Sequence, residues 1–159
     1  MRKIQDVVHY LIKTYPHKQE LSKARLTKMV YLADWLSAIR AENQITSIEW
    51  IFHNHGPYVD DVVNSVRTDD HLRVVETTNA YGNKKELIVV AKEFPLPELS
   101  PDEKQILDHV VQTCAPLYWN EFMRLVYSTY PVMTQPRYTV LELPQRASEY
   151  KTLKDETEA

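Results

Sequence analysis

Ile4, Val7, Val8, Leu11 and Ile12 recur at helical spacing, which predicts an amphipathic helix over residues 2–14. Tyr15-Pro16 ends it, because a proline disfavours helical geometry in the residue before it. A second helix over about 22–40 is apolar almost all round, through Leu26, Met29, Val30, Tyr31, Leu32, Ala33, Trp35, Leu36 and Ile39. A helix of that kind belongs in the centre of a fold. Asp34 within it then needs a partner, since a buried carboxylate without one is costly. From Ile48 to His55 the period drops to two: Ile48, Trp50 and Phe52 share one face, and Glu49, Ile51, His53 and His55 the other. That is a strand.

Gly56-Pro57 follows, in a chain with only two glycines. Glycine can take backbone angles barred to other residues, and proline is preset for the first position of a helix. The pair therefore predicts a helix over 57–66, with Val59, Val62, Val63 and Val66 inward and Asp60, Asp61 and Asn64 outward. Residues 71–78 and 86–91 read as a β-hairpin joined at Asn79–Asn83. After a connector stiffened by Pro95 and Pro97, Ser100-Pro101-Asp102-Glu103 is a strong helix start, with Ile106, Leu107, Val110 and Val111 as the buried face. A further helix at about 117–129 buries Trp119, Phe122, Met123 and Val126. The stretch with Pro131, Pro136 and Pro144 reads as extended, with at most a short terminal helix.

The expected architecture is mainly α with a small antiparallel three-stranded β-sheet, an α+β fold whose middle section is winged-helix-like. Its 159 residues make one domain over 1–150 and a mobile tail over 151–159. No apolar run approaches the roughly 20 residues of a membrane helix, and no signal-peptide core precedes the first helix. A single cysteine, Cys114, excludes an internal disulfide and fits a cytoplasmic protein.

Net charge is −3, unevenly spread: residues 1–40 hold eight Lys/Arg against three Asp/Glu, so the remainder carries −8. A basic N-terminal face suits an acidic partner or nucleic acid, and equally a set of solvated lysines on helix surfaces. The alternatives to a protein-binding role are a winged-helix-like DNA-binding transcriptional regulator and, more distantly, a metal-dependent enzyme; a winged helix would present residues 57–66 to DNA, yet Asp60 and Asp61 would meet phosphate there, which disfavours nucleic acid. Glu49, His53 and His55 on one strand face are weak candidates for a metal site, with no fourth ligand fixed by spacing. Cys114 has no basic cluster beside it, and nucleotide-binding and hydrolase motifs are absent, so neither enzyme chemistry nor a cofactor is expected. Tyr118, Tyr127, Tyr130, Met133, Tyr138, Leu141 and Leu143 crowd the C-terminal third. They suit either a protein-recognition surface or a tail packed over the helices.

The words Leu26-x-Lys28-Met29-Val30-Tyr31-Leu32-Ala33-Asp34, then Ile45-Thr46, Trp50 and Gly56-Pro57, resemble the Panacea-domain family of phage-associated, SocA-like antitoxins. Leu99–Glu103 is similar to a second block of that family, so the likeness covers roughly residues 5–130. Gln44 stands where the family usually has proline, and Tyr58 where it has valine. The resemblance implies a non-catalytic module that binds and neutralises a cognate toxin, or hands it to a protease complex. It singles out Lys28, Tyr31, Asp34, Trp50, Gly56 and Pro57; most of these suit core and turn positions. Asp34 is expected to cap or pair inside the fold, with His53 or His55 across the sheet as its partner.

Overall fold

Helix α2 (Lys23–Ala41) runs through the middle of the computed structural model, which describes residues 2–158. Ser22 caps it by accepting from the Arg25 amide at 3.1 Å, and Glu42 closes it in the left-handed region at φ 65°. Thirteen of its residues are buried, on every side, because neighbours surround it. Helices α1 (Ile4–Thr14) and α3 (Asp61–Arg67) cover part of it. Helices α4 (Pro101–Cys114) and α7 (Leu143–Glu158) cover more. Two short helices, α5 (Trp119–Tyr127) and α6 (Tyr130–Thr134), link these last two. The full capping box at Ser100 and Glu103 starts α4 as the sequence predicts.

The fold is mainly helical and α+β, but the expected three-stranded sheet is not formed. Strands β1 (Ile51–His53) and β2 (Gly56–Tyr58) make one antiparallel pair; β3 (Leu72–Thr78) and β4 (Lys84–Val90) make another. The free side of each pair is taken by irregular chain. The Phe52 amide donates to the Thr139 carbonyl at 3.0 Å, and the Leu141 amide donates to the Trp50 carbonyl at 2.8 Å. On the other hairpin, the Ile88 amide donates to the Leu21 carbonyl at 2.9 Å. With those edges satisfied locally, the two hairpins have no reason to join, and the winged-helix likeness stops at element order.

Gly56-Pro57 does not open a helix. Both residues lie in β2, where Gly56 pairs with His53 across the Asn54-His55 turn and Pro57 pairs with Phe52. Gly56 sits at φ 101°, so the glycine is required, but for closing a hairpin. Proline's fixed φ fits an extended strand as well as a first helical turn, and its missing N–H costs nothing on the short β2. The helix begins four residues later, at Asp61.

The extended reading of the C-terminal stretch is also corrected. α7 spans 16 residues and packs on α2, with Leu143 and Ala147 buried and Tyr150 tilted against Trp35 at 5.9 Å. Pro144 stands in the first turn of α7, where a proline leaves no bond broken. The expected tail falls partly on this helix, which continues through Glu158; Ala159 lies outside the described residues.

Candidate functional site

Three of the singled-out side chains meet in the core below β1. Asp34 is fully buried and accepts four hydrogen bonds: from the Thr46 amide at 2.9 Å, the Thr46 hydroxyl at 2.5 Å, Trp50 Nε1 at 2.9 Å and Gln44 Nε2 at 3.4 Å. Burial pushes its carboxyl up to about 6, and the Thr46 and Trp50 donors limit that rise. The partner expected in His53 or His55 is therefore Thr46 and Trp50 instead, because those donors enclose the carboxylate while both histidines stay exposed. Tyr31, also fully buried, stands edge-on to Trp50 at 5.6 Å and shares a hydrogen bond with the Thr129 hydroxyl at 2.8 Å. Tyr31, Asp34, Thr46 and Trp50 form a structural knot that pins the loop after α2 to β1.

Lys28 belongs to a different environment. It lies on α2 two turns before Asp34, is only 3% exposed, and its stem passes under Gly56, where an added Cβ would meet Lys28 Cε at 3.8 Å. Its Nζ stands 5.8 Å from the centre of the Tyr58 ring. Burial lowers its pKa to about 8. It lines a concavity of about 720 Å³ with His53, Asn54, His55, Asp60 and Trp119. A second concavity of about 1000 Å³ shares Ala24 and Trp119 with the first and is lined by Lys23, Arg25, Lys85 and Tyr118. Its charges are mostly paired: Lys23 reaches Glu86 at 2.6 Å and Lys84 reaches Glu76 at 3.5 Å.

The aromatic and sulfur side chains of the C-terminal third divide. Tyr127 is half-buried and stands edge-on to Phe52 at 6.2 Å; Tyr130 is half-buried against Tyr150 at 5.7 Å. Met133 and Tyr138 are 70% and 67% exposed, and the Tyr138 hydroxyl donates to Asn54 Oδ1. Tyr118, expected among them, is 83% exposed, whereas Leu141 and Leu143 are buried in the core, and Trp119, which the sequence places in the core, is 44% exposed. Both exposed aromatics stand at the N-terminal end of α5, Tyr118 as its N-cap and Trp119 as its first residue.

Glu49, His53 and His55 are all exposed and do not bring ligand atoms together. Among the described residues the one such grouping is His9, Asp69 and His71, whose ligand atoms lie within 4.8 Å of one another. Asp69 accepts from His9 Nε2 at 2.5 Å, Gln5 Nε2 at 3.2 Å, and the His71 amide and Nδ1 at 2.9 and 3.0 Å. Burial raises this carboxyl, but the His71, His9 and Gln5 donors outweigh it and hold the group well below the usual carboxylate range. With four donors on its two oxygens, the carboxylate has no lone pair left for a metal, and the ring nitrogens facing it carry protons. The grouping fastens α1 to the loop before β3. The Asp-x-His spacing hinted at the local half of it; His9 is invisible without the fold. Cys114 is fully buried, and burial pushes its thiol up to about 12, the opposite of a poised nucleophile.

Searches of curated proteins and of solved structures gave no match to this chain. The family model described as "Antitoxin SocA-like, Panacea domain" matches residues 26–131, from the central helix through α5 to the start of α6. That span holds Lys28, the Asp34 knot, the β1–β2 hairpin and both exposed aromatics of α5, and it is two thirds of the sequence; the chain belongs to the SocA-like Panacea-domain family of antitoxins.

Proposed function

We propose that this protein is an antitoxin that neutralises a cognate toxin by direct binding, and that it does so without catalysis or a cofactor. The observation that carries the reading is the surface around Trp119. Two contiguous concavities flank an exposed tryptophan and tyrosine, on a domain whose family is one of antitoxins. Tyrosine and tryptophan are the residues most favoured at the energetic centres of protein interfaces. Met133 and Tyr138 extend the candidate partner surface, whereas Tyr127 and Tyr130 act from beneath it by shaping the hairpin and α6. A DNA-binding role is less well supported: Asp60 and Asp61, exposed at the start of α3, would repel a phosphate backbone.

Co-expression with the product of the adjacent gene tests this. Growth arrest caused by that product alone should be relieved, and the two proteins should co-purify as a stable complex. Unrelieved arrest with both proteins present in the cell would sink the proposal. Toxin abundance separates the two modes of neutralisation: it stays level under sequestration and falls if the antitoxin delivers the toxin to a protease.

A further inference from the structure

Among the described residues, five Asp, Glu, His, Lys or Arg side chains are buried: His9, Arg25, Lys28, Asp34 and Asp69. Four of them are satisfied within the fold. Arg25 donates to the Cys114 and Leu117 carbonyls at 3.0 and 2.9 Å, and the bonds of His9, Asp34 and Asp69 are described above. Lys28 alone has no hydrogen bond and no ion pair among the described residues, and it lines an open concavity. Asp60, the one carboxylate on that lining, forms no ion pair with it within 4.0 Å. An ammonium held in a largely buried wall without a counter-charge is expensive to keep, and a carboxylate arriving there offsets part of that cost by its attraction, less its own desolvation.

We propose that the concavity over Lys28 is a carboxylate-binding subsite, filled in the complex by an aspartate or glutamate side chain of the protein partner. Complementary charge points to the carboxylate. The continuation of the groove past Trp119 into the second concavity points to a protein surface, since it offers a long track and not a closed pocket around a small molecule. Tyr58 and Trp119 would flank the acidic side chain, excluding water from the ion pair as rim residues do around a hot spot. This inference rests on the toxin-binding reading for the identity of its occupant, but not for the chemistry of the subsite.

Two measurements test it. Nuclear magnetic resonance of the Lys28 ammonium in the wild-type protein should show saturable shifts with N-acetylglutamate N-methylamide and none with the glutamine analogue. Equal responses to both compounds overturn the inference, whatever the toxin does. In the second measurement, Lys28→Met, which keeps the aliphatic stem, should bind the adjacent gene product at least about 30-fold more weakly than wild type. Its far-ultraviolet dichroism and melting curve establish that it is folded. Wild-type affinity in a folded Lys28→Met protein overturns the inference and leaves the antitoxin reading standing. A glutamate response in a wild-type protein that binds no toxin has the converse meaning: the subsite stands and the antitoxin reading falls. Should Lys28→Met not fold, the glutamate–glutamine comparison on wild type still decides.

Discussion

At the scale of single residues, two charged side chains of one helix carry opposite assignments. Asp34 is surrounded by donors and works for the fold. Removing it strands the Thr46 amide and the Trp50 indole in the core, so Asp34→Ala should lose about 3–5 kcal/mol in urea unfolding. Asp34→Asn keeps one acceptor and should lose less, about 1–3 kcal/mol. Lys28 works against the fold. Its folded pKa of about 8 lies below the ordinary lysine value of 10.5, so between those values the unfolded chain binds more protons, and stability attributable to this group rises with pH. Below pH 8 the full penalty applies, on the order of 3 kcal/mol for a shift of this size. Lys28→Met should therefore be the more stable protein at pH 7, and its advantage over wild type should shrink as pH climbs from 8 to 10.5. A constant gap across that range would argue that burial does not depress the Lys28 pKa.

At the scale of elements, the sequence was a good guide where periodicity and caps agree. The first helix, the central helix, the Ser100 start of α4 and the second hairpin are all where the pattern places them. It misled where one residue type serves two geometries. Proline's fixed φ suits both a helix start and a strand, so Gly56-Pro57 reads equally well either way until the pairing with β1 is seen. The proline-rich C-terminal stretch hid α7 for the same reason, and the partner of Asp34 was hidden because a loop residue, Thr46, has no periodicity to reveal it. Gly56→Ala tests the hairpin: the nearest atom to an added Cβ is 3.7 Å away, so space is adequate, but φ 101° is not. A loss of about 1–3 kcal/mol is expected from backbone strain alone. α7 invites a truncation pair. Ending the chain after Lys151 removes only exposed side chains over 152–157 and should cost less than about 1 kcal/mol. Ending it after Val140 removes Leu141, Leu143 and Ala147 from the core and should abolish the cooperative melting transition.

At the scale of the whole molecule, stabilising and binding residues occupy different layers. The Asp34 knot and the Asp69 hub are saturated with internal hydrogen bonds and have nothing left to offer a partner. The groove over Lys28 and the aromatic pair at the head of α5 are unsatisfied or exposed. A double variant Tyr118→Ser, Trp119→Ser should accordingly melt within a few degrees of wild type yet bind the adjacent gene product at least about 30-fold more weakly, as loss of an interface anchor does. Wild-type binding by that variant would move the interface away from this face.

The path of the chain over residues 138–141 has a practical consequence for anyone isolating this domain. Those residues complete the open edge of β1, and they lie beyond the last position of the family match at 131. A fragment cut to 26–131 would keep every family word and still expose the main-chain groups of Trp50 and Phe52, along with the face of α2 that α7 covers. An unprotected strand edge beside bare apolar surface is a template for pairing with other chains. Such a fragment should be recovered as aggregates, and expression designs for related domains should be bounded by what closes β1 and not by where the family words end.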